Sequence, residues 1–151
     1  MKEFKQWMTA AVAMIAISAS AVAGGKDWMT NVDDALAKAK TDKKPVMVEF
    51  TGSDWCPPCI MMDKKVFSKK SFVSKASEKF ILVKIDIPRA DKELSKKNQK
   101  VLKKYKVQGV PTVVLFDEEG KEFNRFTASQ YPDVSKFLAH LDQALEKKDM
   151  D

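Results

Sequence analysis

Cysteine is nearly absent from this sequence: Cys56 and Cys59 are the only two among 151 residues. Two thiols cannot staple a disulfide-rich scaffold, so the fold must rest on its core, and the pair is free for chemistry. Histidine occurs once, at His140, on what reads as the last helix, where a surface or helix-packing role is expected. Two cysteines and one distant histidine fall short of the four ligands a structural zinc needs, so no metal is expected. Arginine occurs only at Arg89 and Arg125, and a nucleic-acid groove would want clustered arginine with exposed aromatics. The formal charge of +6 is instead carried by lysines scattered over helix faces, such as Lys96-Lys97 and Lys103-Lys104. That describes a solvated basic surface, with at most a weak preference for acidic partners or membrane surfaces. Internal repeats and low-complexity linkers are also absent.

No apolar run reaches the roughly 20 residues of a spanning helix. The apolar run from Trp7 to Ala19 contains no charge, follows a basic start with Lys2 and Lys5 and leads to Ala21-Val22-Ala23, a small-x-small cleavage pattern. Residues 1–23 therefore read as a secretory signal peptide cut after Ala23, the alternative being an uncleaved anchor. No cysteine follows the run directly, which argues against lipid anchoring. Loss of Lys2, Glu3 and Lys5 removes one positive charge. Residues 24–151 remain, enough for a single domain with a real core. The expected location is the periplasm or outside the cell, where disulfides persist.

The remaining chain alternates helix and strand. Trp28 to Lys43 has Val32, Ala35, Leu36 and Ala39 at helical spacing, with Asn31 or Thr30 as cap. Val46 to Thr51 is an apolar strand broken only by Glu49, as expected where helices cover both faces. A helix follows to about Phe67, then a short helix from Phe72 to Lys79, a buried strand from Phe80 to Asp86, and a lysine-rich helix from Asp91 to Tyr105. Val113 to Phe116 is a third strand, Asp117 to Gly120 a hairpin turn, and Lys121 to Thr127 an alternating edge strand. A last helix opens near Pro132. Parallel crossovers followed by a terminal hairpin imply an α/β fold with a central mixed β-sheet flanked by helices on both faces.

The chain is organised around Thr51-Gly52-Ser53-Asp54-Trp55-Cys56-Pro57-Pro58-Cys59, where a buried strand turns into a helix whose first turn carries C-x-x-C. That placement is a redox-active dithiol arrangement. A static structural disulfide is the alternative, although so tight a loop gains little chain entropy. Glu49 is a carboxylate in an otherwise apolar strand, where an unpaired charge is costly. A raised pKa is expected there, with Glu49 taking the Cys59 proton when Cys59 attacks. Pro57 and Pro58 lack N–H groups, so fewer donors reach a Cys56 thiolate, which predicts a more reducing couple.

Trp55-Cys56-Pro57-Pro58-Cys59 after a buried strand, Gly109-Val110-Pro111-Thr112 before the third strand, and the element order together resemble the thioredoxin superfamily from about Trp28 to Leu145. Phe50 to Cys56 is similar to the exported bacterial branch. It is one residue longer before the tryptophan than cytosolic thioredoxin, whose dipeptide is Gly-Pro. The resemblance implies a thioredoxin fold, Cys56 as the exposed attacking thiol and Cys59 as the buried resolving one. It implies that Pro111 is a cis-proline against the dithiol, with the Val110 backbone pairing to an extended substrate segment and Trp55 packing beside the motif. Glu49 matches the family's buried acid, with Lys84 as candidate basic partner. The expectation is an exported protein-disulfide reductase, or thiol-disulfide oxidoreductase, that needs no cofactor beyond its own cysteine pair. Its partners would be exported protein disulfides and a membrane electron donor, not nucleic acid, and it would be a monomer. A disulfide oxidase or isomerase, or a binding or chaperone module without redox turnover, remains as the alternative.

Overall fold

The computed structural model describes residues 27–151. The signal peptide read over residues 1–23 lies outside the described residues. In chain order the elements are β1 (Trp28–Met29), α1 (Val32–Asp42), β2 (Val46–Thr51), α2 (Pro57–Met62), a π-helical turn (Asp63–Phe67), α3 (Lys70–Lys79), β3 (Ile81–Asp86), α4 (Lys92–Lys104), β4 (Thr112–Phe116), β5 (Glu122–Thr127), a 3-10 turn (Ala128–Gln130) and α5 (Val134–Met150).

The strands form one sheet in the order β1-β3-β2-β4-β5. β1 and β2 run parallel to β3, whereas β4 is antiparallel to both β2 and β5. Strand periodicity divides β2 between two cores. Val46, Val48 and Phe50 pack with α1 and α4 residues on one face, and Met47 packs with Met62, Phe67, Phe72 and Phe137 on the other. On that second face Phe67, Phe72 and Phe137 meet edge to face, with centroids 5.2 to 5.6 Å apart. Each such pair adds about 0.5–1.5 kcal/mol beyond its buried area. Glu49 and Lys84 share this second face with Met47 and Leu82, which puts a carboxylate into an aromatic core.

Side-chain caps set the helix starts. Asn31 Oδ1 accepts from Asp34 N at 3.0 Å, Asp91 Oδ1 from Leu94 N at 3.0 Å, and Asp133 Oδ1 from Lys136 N at 3.1 Å. Three boundaries differ from the sequence reading. Trp28 and Met29 are strand, not helix, because they pair with Leu82 and Val83 of β3 and the Trp28 ring packs on Phe67. Pro132 precedes the Asp133 cap and so stands outside α5. The helix after the cysteines changes to a π turn at Asp63, which lets Val66 and Phe67 both reach the core. The hairpin turn is as expected: Asp117 Oδ1 accepts from Glu119 N and Lys121 N, and Gly120 has φ +83°.

Candidate active site

β2 is the middle strand, and its C-terminal end delivers the chain through Gly52–Trp55 into α2. Cys56 is the N-cap residue in extended conformation, and Pro57 and Pro58 occupy the first two helical positions. Neither proline has an N–H, so the first amide at this helix end belongs to Cys59, and it donates to Cys56 Sγ at 3.3 Å. The two cysteines are joined as a disulfide. Cys59 Sγ accepts from Gly52 N at 3.4 Å and is fully buried.

Cys56 is not the open thiol that its position before the helix led us to expect, since only 4% of the residue is exposed. The reason is a loop more than fifty positions away in the chain: the Val110 carbonyl oxygen lies 3.8 Å from Cys56 Sγ. The Val110–Pro111 peptide bond is cis. Thr112 Oγ1 donates to Gly109 O at 2.6 Å and closes this loop, while a Cβ at Gly109 would meet nothing within 4 Å. The loop thus brings Gly109, Val110, Pro111 and Thr112 together on the Cys56 side of the sheet. Pro57 and Pro58 lie exposed on the same side.

Trp55 is half-buried, and its Nε1–H donates to Ile87 O at 2.7 Å. Two acids that the sequence reading did not single out fasten this region. Asp54 accepts from the backbone N–H groups of Arg89 and Ala90, both at 2.8 Å, and these bonds hold its carboxyl below the usual range. Asp86 accepts from Ser53 N at 3.0 Å and from Ser53 Oγ, and Asn98 Nδ2 holds the Asp86 carbonyl at 2.7 Å. The only sequence signals for them are an acid inside the turn before the cysteines, at Asp54, and one at the end of the β3 strand, before Ile87-Pro88. Gly52 completes the arrangement, because a Cβ there would stand 2.5 Å from the Trp55 indole. Gly52→Ala should therefore displace the indole from Ile87 and cost about 1–3 kcal/mol, read as a lowered Tm and a changed tryptophan emission.

Glu49 is fully buried, and neither carboxylate oxygen has a hydrogen-bond partner among the described residues. It is in register with Lys84 on β3 and Val113 on β4. Burial pushes its carboxyl from 4.5 up to about 8; Lys84 pulls it down, and Asp63 and Asp86 push it further up. The Lys84 ammonium does not reach the carboxylate and pairs with Asp63 Oδ1 at 3.2 Å instead. His140 packs in the helix layer, stacked on Tyr131 at 4.1 Å, and burial lowers its pKa. Among the described residues no three His, Cys, Asp or Glu side chains gather as a metal site.

A mixed sheet between two helical layers, with C-x-x-C opening the helix that leaves the central strand, defines the thioredoxin fold. The chain belongs to the thioredoxin-like family, whose sequence profile it matches over residues 27–118. It is 38% identical over 95 residues to the disulfide bond reductase DsbH of Chlamydia pneumoniae, covering 61% of this chain and 57% of that protein. It is 33% identical over 111 residues to the thiol:disulfide interchange protein DsbD of Campylobacter jejuni, covering 74% of this chain and 18% of DsbD. The chain thus spans well under two thirds of both relatives. A solved structure titled DsbH oxidoreductase aligns with a TM-score of 0.68 at 28% identity, covering 91% of this chain and 95% of that one.

Proposed function

We propose that this protein is an exported thiol-disulfide oxidoreductase that reduces or exchanges disulfides in other exported proteins through Cys56 and Cys59. One observation carries the reading. A dithiol joined as a disulfide caps a helix, one sulfur at the substrate-facing loop Val110–Pro111 and the other fully buried beneath it. The names of the relatives DsbH and DsbD support the same chemistry, and the name of DsbH favours reduction. Export rests on the Met1–Ala23 segment, and a membrane electron donor would return the pair to the dithiol form.

In the proposed cycle the Cys56 thiolate attacks one sulfur of a substrate disulfide, and the other substrate sulfur leaves as a thiolate. The Cys59 thiol then gives its proton, through water, to Glu49 in its ionised form, which with a pKa of about 8 is about a tenth of the population at pH 7, and attacks Cys56 Sγ. The second substrate thiolate departs, leaving the Cys56–Cys59 disulfide and a substrate reduced by two electrons. With its pKa at about 8, Glu49 is protonated in this oxidised state at neutral pH. It can then return the proton to Cys59 when a reductant opens the disulfide.

The prolines favour the reducing direction of electron flow. Pro58 stands where a second helical amide could donate to Cys56, so the thiolate has fewer backbone donors, and the reduced form is less stabilised. Equilibration with glutathione buffers should give a potential at or below about −230 mV, the thioredoxin-like range. A value near about −120 mV would make the protein a disulfide donor. Insulin-disulfide reduction with dithiothreitol separates both from a binding module, which gives no turnover.

A further inference from the structure

Beside the dithiol lies a concave feature that this cycle does not use. A groove of about 600 Å³ runs between the Trp55 indole, the Ile87–Arg89 loop and one stripe of α4. Trp55, Ile87 and Pro88 give it an apolar floor, and Arg89, Lys92 and Lys96 give it a cationic rim. Lys92 and Lys96 are four residues apart and so project from the same side of α4.

The rim cations Arg89, Lys92 and Lys96 have no direct ion-pair partner among the described residues, whereas Lys84 and Lys104 are paired with Asp63 and Asp33. The Asp54 carboxylate, bonded to the Arg89 and Ala90 backbone N–H groups, lies near enough to Arg89 to offset part of that one charge and leaves Lys92 and Lys96 open. α4 carries six lysines against one glutamate in 13 residues, in a chain whose whole formal surplus is +6. The positive charge is therefore concentrated on this helix, not spread as a uniform solvated coat.

The groove is also tied to the dithiol. The Trp55 indole donates to Ile87 O, the Arg89 guanidinium sits over the Trp55 ring at 5.2 Å, and Asp54 holds the Arg89 and Ala90 amides. The wall of the groove is thus the residue next to Cys56, held before any ligand arrives, which lowers the ordering cost of binding.

We propose that this groove binds an acidic, extended segment of the polypeptide that flanks the disulfide presented to Cys56. The proposal rests on the redox reading above for its client, but not for its binding. Asp or Glu side chains would meet the rim, and a neighbouring aliphatic or aromatic side chain would lie on the Trp55–Pro88 floor. A concave slot of this size suits an extended chain, and a flat lipid surface cannot enter it.

The test starts with a short, cysteine-free, fluorescein-labelled peptide rich in Asp and Glu with one Leu, titrated with the protein and read by anisotropy. The combined variant Arg89→Ser, Lys92→Ser, Lys96→Ser should weaken binding about tenfold, the sum of three exposed charge contacts. A control, Lys97→Ser, Lys100→Ser, Lys103→Ser, removes equal charge from α4 outside the groove and should change binding less than about twofold. Equal weakening in both variants would reduce the effect to diffuse charge and overturn the site, as would no binding by the unaltered protein. Sedimentation with phosphatidylglycerol vesicles in the absence of peptide binding would assign the rim to a membrane surface and also overturn it.

A second arm compares two peptides with the same internal disulfide and either acidic or neutral flanks. The unaltered protein should favour the acidic one in kcat/KM by about tenfold, and the groove variant should bring that ratio near one. Binding without turnover of either disulfide would sink the redox reading and leave the groove. Equal turnover of both, with no binding, would do the reverse.

Discussion

Replacement of Cys56 by serine should abolish disulfide turnover, a loss of at least about a thousandfold, because the other thiol at the site, Cys59, is fully buried. Cys59→Ser should behave differently. It leaves Cys56 at the helix cap with the Cys59 backbone amide still donating, so the first exchange proceeds. The cycle then stops, and a substrate joined to Cys56 should accumulate as a band on non-reducing gels that dithiothreitol removes. The asymmetry follows from burial. Cys56 touches the Val110 loop, whereas Cys59 Sγ lies wholly inside against the Gly52 amide. Trapping in the Cys56→Ser variant and not in Cys59→Ser would reverse the assignment of attacking and resolving thiols.

Glu49→Gln should produce the second large effect, and pH exposes it. In the unfolded chain this carboxyl ionises near 4.5, and in the fold at about 8. Below the lower value both states hold the proton. Between the two values the folded state holds one proton more, so stability falls as pH rises. The loss is about 1.4 kcal/mol per pH unit and roughly 4–5 kcal/mol across the window. The Glu49→Gln variant cannot ionise, so this slope should disappear. At pH 9 the variant should then unfold several kcal/mol later than the parent, a rise in Tm of roughly 10 °C. At pH 4 the two should be close. Urea unfolding of the oxidised protein across this range is the measurement, and parallel slopes would mean that Glu49 does not carry the proton. The same variant should slow resolution of the mixed disulfide by about a hundredfold. An unchanged resolution rate would remove Glu49 from the chemistry while leaving the stability argument intact.

What the residues announced by themselves lies within one contiguous stretch, and the distant Gly109–Thr112 loop was placed against the dithiol by resemblance alone. The strand Val46–Thr51, the turn, and Cys56 to Cys59 announce themselves together. Glu49 is visible because a charge interrupts that apolar strand, and register with β3 then brings Lys84 beside it. The resemblance put the Pro111 loop against the dithiol, yet the extent to which Val110 shields Cys56 was not legible, since it depends on a contact made across more than fifty residues. Nor were the bonds from Asp54 to the Arg89–Ala90 backbone and from Ser53 to Asp86, because an acid in a turn carries no mark of which amide it will meet. Trp28 reads as helix by spacing, yet pairing with β3 and the Phe67 ring pulls it into the sheet. The concentration of charge on α4 was present as composition. It became a groove only when the Ile87–Arg89 loop folded against Trp55.

The ends of the sheet carry a consequence for a protein that would spend its working life among incompletely folded chains. Such chains expose stretches that add readily to any open ladder of backbone amides. Here one margin is β1, two residues long, and the other is β5, whose pairing with β4 shifts register at Leu115/Phe116 and which bears Glu122 and Arg125 on its exposed positions. Arg125 is itself occupied, holding Glu122 and the carbonyls of Tyr105 and Lys106. Neither margin offers a long flat template, so a stray segment finds little to zip onto there. Nonproductive capture along the rims is discouraged, which on the function proposed above would leave the Val110–Pro111 loop as the place for an extended substrate to dock.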